Sequence, residues 1–268
     1  MSVSKFGFLG CGNMGGSLAR AVCKSVGAND VLLADKDTDK AQSLADELKC
    51  KCGNVNDIAE NCKYIFLGVK PQVMKSALDE IFEILKVRTD RYILISMAAG
   101  IEIEKYYSML GFDCPIIRIM PNTPVSAGEG MIVYSYNANV LNEELNEFTN
   151  ALQFAGKLDE IEEELINSAT AVSGCGPAFV YLFAEAMADA GVECGLPREK
   201  ALEYAFQTIS GAAKLMQTSG KHPSILRDEV CSPGGSTIEG VRFLENNDFR
   251  DVVNGAVKAS FDKTNKLS

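Results

Sequence analysis

Phe6-Gly-Phe-Leu-Gly10-Cys-Gly12-Asn-Met-Gly15 decides the fold. A short apolar run reads as a strand, and it passes directly into glycines spaced G-x-G-x-x-G. The residues after them, Asn13–Ser25, carry the apolar spacing of a helix. In a strand-turn-helix of this kind each glycine has a task. One makes the tight turn, one lets a pyrophosphate approach the backbone, and one lets helix and strand pack closely. The exposed N–H groups of the helix start then favour an anion. Asp35 stands at the end of the next apolar run, 20 residues past Gly15, where an acidic side chain meets an adenosine ribose.

Further runs extend the pattern. Lys5–Leu9, Val31–Ala34, Tyr64–Gly68, Tyr92–Ser96, Ile116–Met120 and Met131–Tyr134 read as strands, and Thr38–Leu48 and Gln72–Leu85 as helices between them. The strands are continuously apolar instead of alternating, as parallel strands covered on both faces are. The fold class is therefore α/β, an N-terminal Rossmann-type doubly wound domain over residues 1–161. From about Glu162 the strand signal ends, and residues 162–268 read as an all-helical domain. There Phe179, Leu182, Phe183, Ala186, Met187 and Ala190 mark one helix whose other faces are also mostly apolar, apart from Glu185, Asp189 and Glu193. Such a helix needs cover on several sides, and a second subunit is expected to supply it.

Composition narrows the function. A formal net charge of -10 provides no footprint for nucleic acid or for an anionic membrane surface. Glu185 and Asp189 argue against a membrane span near residues 176–192. The fold begins within a few residues of Met1, so no signal peptide is expected and a cytoplasmic location follows. Nine cysteines show no metal-ligand spacing, and His222 has no ligand neighbour, so reduced, mostly buried thiols and no metal are expected.

Three loops have compositions that packing does not explain: Gly68-Val-Lys70-Pro71-Gln72, Met120-Pro-Asn122-Thr-Pro124 and Cys231-Ser232-Pro-Gly234-Gly235-Ser-Thr237. The first two follow strands, where open α/β sheets bind ligands. The third exposes backbone N–H groups at a helix start, a seat for a carboxylate. With Ala98-Ala-Gly100, Ser173-Gly-Cys-Gly-Pro-Ala178, Gly195-Leu-Pro197 and Lys221-His-Pro223, these loops resemble the pyrroline-5-carboxylate reductase family over essentially the whole chain.

That resemblance implies NAD(P)H-dependent reduction of Δ1-pyrroline-5-carboxylate to L-proline, the last step of proline biosynthesis. It implies an interlocked homodimer, in some members assembled into decamers, with active sites shared between subunits. The substrate carboxylate is expected on Ser232, Gly234 and Gly235, with Ser173 nearby and Thr237 holding the ring nitrogen as the catalytic residue. Gly10, Gly12, Asn13, Met14, Gly15, Asp35, Lys36, Asn54, Val69, Lys70, Pro71, Ala98 and Asn122 are expected to bind the cofactor. Two positions depart from many relatives: Cys175 replaces a Ser or Ala, read as packing, and Asp35 replaces a small polar residue or Arg. Asp35 favours NADH, while Lys36 and Lys40 are placed to meet a 2′-phosphate. Two other readings stay open, a β-hydroxyacid or 6-phosphogluconate-type dehydrogenase and a non-catalytic dinucleotide sensor. The first lacks the expected setting around Lys200 or Lys214, and the second has no use for the Ser232–Thr237 loop.

Overall fold

The apolar runs assemble into one eight-stranded sheet in a computed structural model that describes residues 4–266. The strands are β1 (Phe6–Leu9), β2 (Val31–Ala34), β3 (Lys51–Cys52), β4 (Tyr64–Leu67), β5 (Ile93–Ser96), β6 (Ile116–Met120), β7 (Gly130–Tyr136) and β8 (Gly156–Glu160). Their order is β3-β2-β1-β4-β5-β6-β7-β8. The first six are parallel and carry the doubly wound order, in which the chain reverses direction across the sheet between β1 and β4.

Helices cover both faces: α1 (Asn13–Val26), α2 (Thr38–Leu48), α3 (Val55–Asn61), α4 (Met74–Val87), α5 (Ile103–Leu110) and α6 (Asn142–Ala151). One face buries Phe6, Phe8, Leu18, Val22, Tyr64 and Phe66, with β1 and β4 in register so that Phe8 stacks on Phe66 at 4.3 Å. The other face buries Ile58, Ile65, Leu67, Leu78, Ile81 and Tyr106. Gly7 lets α3 close on this side, because a Cβ there would lie 2.5 Å from Ile58. Burial on both faces is why these strands read as unbroken apolar runs.

Three strands differ from the sequence expectation. The run around Met131–Tyr134 is antiparallel to β6, since its connection from Met120 is too short for the dozen or so residues of a parallel crossover. Strands β3 and β8 carry no apolar run: one is two residues long, and the other, Gly-Lys-Leu-Asp-Glu, lies half in solvent at the sheet edge. Polar edge strands resist unwanted pairing, and the same polarity hides them from a pattern search.

The remaining helices are α7 (Ile166–Ala169), α8 (Gly176–Glu193), α9 (Arg198–Ser219), α10 (Pro223–Val230), α11 (Ser236–Asn246) and α12 (Phe249–Asn265), with a π-helical turn over Thr170–Gly174. The chain packs as two units. One runs to Gly174 and takes in the chain again from Ser260; the other is Cys175–Ala259. Residues 162–174 lie in the sheet unit, where Ile166 is buried with Met120 and Val133. The tail of α12 joins them there, with Asn167 donating to Asn265 at 3.0 Å.

The helical unit has little interior of its own. Ala188, Ala201 and Ala205 pack α8 against α9, while Tyr181, Leu182, Tyr204, Phe206, Phe243 and Val252 remain exposed. Helix α10 was not expected from sequence. It is eight residues long and starts at His222, whose ring nitrogen accepts the Ser224 N–H, so His222 organises a helix start.

Candidate active site

The glycine loop is built with almost no slack. Gly10 has φ +101, a conformation open to glycine, and a Cβ there would lie 2.7 Å from the Gly68 carbonyl. A Cβ on Gly15 would lie 2.1 Å from the Gly10 carbonyl. Gly12 is different: its Cβ position meets only Lys40 Nζ, at 3.8 Å. So two glycines bring strands and helix together, and the third faces open space.

Asp35 ties this loop down. Its Oδ2 accepts the Cys11 N–H at 2.6 Å and its Oδ1 accepts the Asp37 N–H at 3.0 Å. The Cys11 thiol beneath is held protonated, its pKa pushed up to about 12 by burial first and by the Asp35 charge second. Helix α1 starts with no side-chain cap and no acidic residue in its first turn. By contrast α2 is capped by Asp37 and α3 by a reciprocal Asn54–Asp57 pair. The uncapped positive end of α1 fits an external anion.

Gly10, Gly12, Asp35, Lys36, Val69 and Lys70 share one cavity of about 450 Å³. Lys40 and Gly68, both singled out in the sequence, also line it, and the structure adds Val55, Val73, Ser76, Ala77 and Glu80. Val73, the cap residue of α4, and Ser76, Ala77 and Glu80 within it follow the spacing of one helix face, a signal present in the sequence once the wall is known to be a helix. Asn13, Met14 and Gly15 form the first turn of α1 beside this cavity. Asn54 spends its side chain capping α3, and Pro71 opens a short 3₁₀ turn leading into α4. Ala98 is buried, with its N–H on Ser96 Oγ at 3.3 Å. A glycine cradle, an open helix start, Asp35, Lys36, Lys40 and Lys70 fit a dinucleotide.

Asn122 and Ser173 meet at the carboxyl end of β6. Asn122 donates through Nδ2 to the Ser173 carbonyl at 2.9 Å and accepts the Met131 N–H through Oδ1 at 2.8 Å. In the helical unit, Ser232–Gly235 forms the turn before α11. Gly234 has φ +69 with open space at its Cβ position, and the Gly235 N–H donates to the Ser232 carbonyl at 3.0 Å. No side chain caps α11, and Thr237, its second residue, is exposed.

The cysteines do not sit as deeply as expected. Cys11, Cys62 and Cys114 are buried, Cys23, Cys50, Cys52, Cys175 and Cys231 are half-buried, and Cys194 is exposed. All are free thiols, and no cluster suited to a metal occurs among the described residues.

Comparison with known proteins bears on both units. Residues 163–267 match the family described as pyrroline-5-carboxylate reductase dimerisation, and residues 5–100 match the description NADP oxidoreductase coenzyme F420-dependent. The Escherichia coli pyrroline-5-carboxylate reductase is 38% identical over 267 residues, 98% of each chain. The Aquifex aeolicus protein of that name is 36% identical, covering 98% of this chain and 97% of its own. A crystal structure of a Plasmodium falciparum pyrroline carboxylate reductase with NADP bound superposes with a TM-score of 0.86 at 33% identity, over 98% of both chains. At these identities, carried through nearly the full length, the chain belongs to the pyrroline-5-carboxylate reductase family.

Proposed function

We propose that this protein reduces Δ1-pyrroline-5-carboxylate to L-proline with a nicotinamide dinucleotide. The observation that carries the reading is the pairing of a glycine cradle at an uncapped α1 with a second uncapped helix start at Ser232–Thr237. One suits a pyrophosphate and the other a small carboxylate. Division of labour follows residues 1–161 for the dinucleotide and 162–268 for substrate and dimerisation, the latter supported by the match from residue 163.

A dihydronicotinamide, when bound, supplies the hydride. The chain's residues supply position and charge. Gly10, Gly12, Asn13, Met14 and Gly15 hold the phosphates, and Asp35 and Lys36 meet the adenosine ribose. Asn54, Val69, Lys70, Pro71, Ala98 and Asn122 shape the remaining wall. Ser232, Gly234 and Gly235 take the substrate carboxylate on backbone N–H groups, and Ser173 is assigned to substrate binding as well. Thr237 holds the ring nitrogen and its proton. A protonated cyclic imine is already electrophilic, so orientation matters more than acid strength. Replacing Thr237 by Ala is expected to lower kcat about a hundredfold and to leave NADH affinity unchanged.

NADH is the preferred carrier in this reading. Asp35 repels a 2′-phosphate, and each of its oxygens keeps a lone pair for a ribose hydroxyl. Lys36 and Lys40 line the same cavity and oppose this preference. Loss of dihydronicotinamide absorbance with pyrroline-5-carboxylate, followed with NADH and with NADPH, tests both points. Turnover with neither refutes the function, and a kcat/KM ratio favouring NADPH transfers selectivity to the lysines.

The exposed apolar side chains of the helical unit support an interlocked homodimer, with a decamer as its larger assembly. The helical run Glu163–Glu193 is long and apolar enough to cross a membrane. Glu185, Asp189 and Glu193 recur one turn apart along it, as they would on a helix packed in an oligomer beside water. A cytoplasmic enzyme suits the free thiols.

A further inference from the structure

The π-helical turn Thr170–Gly174 runs into α8, whose second residue is Pro177. In a regular helix the Ser173 carbonyl would accept the N–H of residue 177, and proline has none. The next donor is diverted, because the Ala178 N–H bonds the Cys175 carbonyl at 3.1 Å. The turn meets its other needs locally: Thr170 Oγ1 donates to the Ile166 carbonyl at 2.6 Å and Ser173 Oγ to that of Ala169 at 2.9 Å. The Ser173 carbonyl is satisfied instead by Asn122 Nδ2, reaching across from the end of β6.

Asn122 is 9% exposed, and its partners fix which way its amide points. Met131 N–H can only donate, so Oδ1 faces it; the Ser173 carbonyl can only accept, so Nδ2 faces that. Its own carbonyl accepts the Val125 N–H at 3.2 Å, so this one residue joins the β6 loop, the start of β7 and the π turn. Few other side chains present a donor and an acceptor on one short planar group. A π turn is rare and is frequently found at functional sites.

We propose that Asn122 is a positioning residue for turnover: its amide replaces the donor that Pro177 lacks and so fixes the Ser173 turn. The inference rests on the reductase reading above and deepens it.

The test uses the full-length enzyme with pyrroline-5-carboxylate and NADH, and the variants Asn122→Ala and Asn122→Asp. Asn122→Ala loses both bonds, and its kcat should fall about tenfold to a hundredfold. Asn122→Asp supplies the more specific readout. Ionised, the carboxylate accepts from Met131 but faces the Ser173 carbonyl without a proton. Protonated, it donates as the amide did. Burial and the facing carbonyl raise the pKa of such a carboxyl. The kcat of Asn122→Asp relative to wild type should therefore climb as pH falls from about 8 to about 6, approaching tenfold per unit where the group is ionised. A flat ratio, or wild-type kcat in Asn122→Ala, overturns the inference. If Asn122→Ala fails to fold, the pH profile of Asn122→Asp decides alone. A wild-type enzyme inactive on this substrate removes the reductase reading and the inference with it; an active one with a flat ratio removes the inference only.

Discussion

Alanine at position 15 is expected to destroy the dinucleotide site. Its Cβ would stand 2.1 Å from the Gly10 carbonyl, a backbone atom that cannot rotate away. Gly10 has nowhere to retreat, because it is already wedged against Gly68, whose own Cβ position lies 2.7 Å from the Gly10 carbonyl. The first turn of α1 must therefore lift off β1. That overpacking costs about 1–3 kcal/mol of stability. The larger effect is on binding, since the N–H groups of the lifted turn no longer converge on a pyrophosphate. Losing two bonds to a charged group, about 1.5–3 kcal/mol each, weakens NADH by a hundredfold or more. Gly16→Ala is the control: its Cβ would meet the Leu44 and Arg20 side chains at 3.3 and 3.4 Å and the Cys11 carbonyl at an ordinary 3.6 Å. Titration of cofactor fluorescence on both variants checks this. Wild-type affinity in Gly15→Ala would show that the phosphates sit elsewhere.

The second large effect concerns assembly. Leu182 and Phe206 are 68% and 55% exposed, and both line an apolar groove of about 850 Å³ formed by α8 and α9. Covering such side chains yields about 1.5–3 kcal/mol each, and a twofold interface counts every contact twice. Two glutamates in their place would instead bury carboxylates with no partner, a cost of several kcal/mol per group. The variant Leu182→Glu with Phe206→Glu should run as a monomer in light scattering and lose turnover, while its sheet unit still binds NADH. A variant that remains dimeric would move the interface to the other exposed apolar face, around Phe243 and Val252.

Legibility in the sequence followed burial. Strands β1, β2, β4, β5 and β6 are covered on both sides, and their composition announces it. Strands β3 and β8, at the two edges, keep polar residues and so leave no trace. Arg118 shows the limit from the other side. It sits inside the apolar run Ile116–Met120, yet its side chain is 1% exposed and paired with Glu163 at 3.0 Å, a residue 45 positions away. Nothing local predicts that pairing.

The candidate site divides the same way. Glycine spacing, the position of Asp35 and the Ser232–Thr237 loop are chemistry written in consecutive residues, because turns and helix starts are made by neighbours in the chain. With the other loop motifs, that was enough to determine the fold class and the family, and to single out the glycine loop as a candidate dinucleotide cradle. Three things needed tertiary contacts. Asp35 holds the Cys11 N–H as well as facing the cavity, Asn122 braces a turn 51 residues downstream, and residues 162–174 pack with the sheet. Each depends on which distant groups folding brings within about 3 Å, the reach of a hydrogen bond. Spacing along a chain records local geometry, and it is silent about a donor that a proline leaves missing and a distant asparagine supplies.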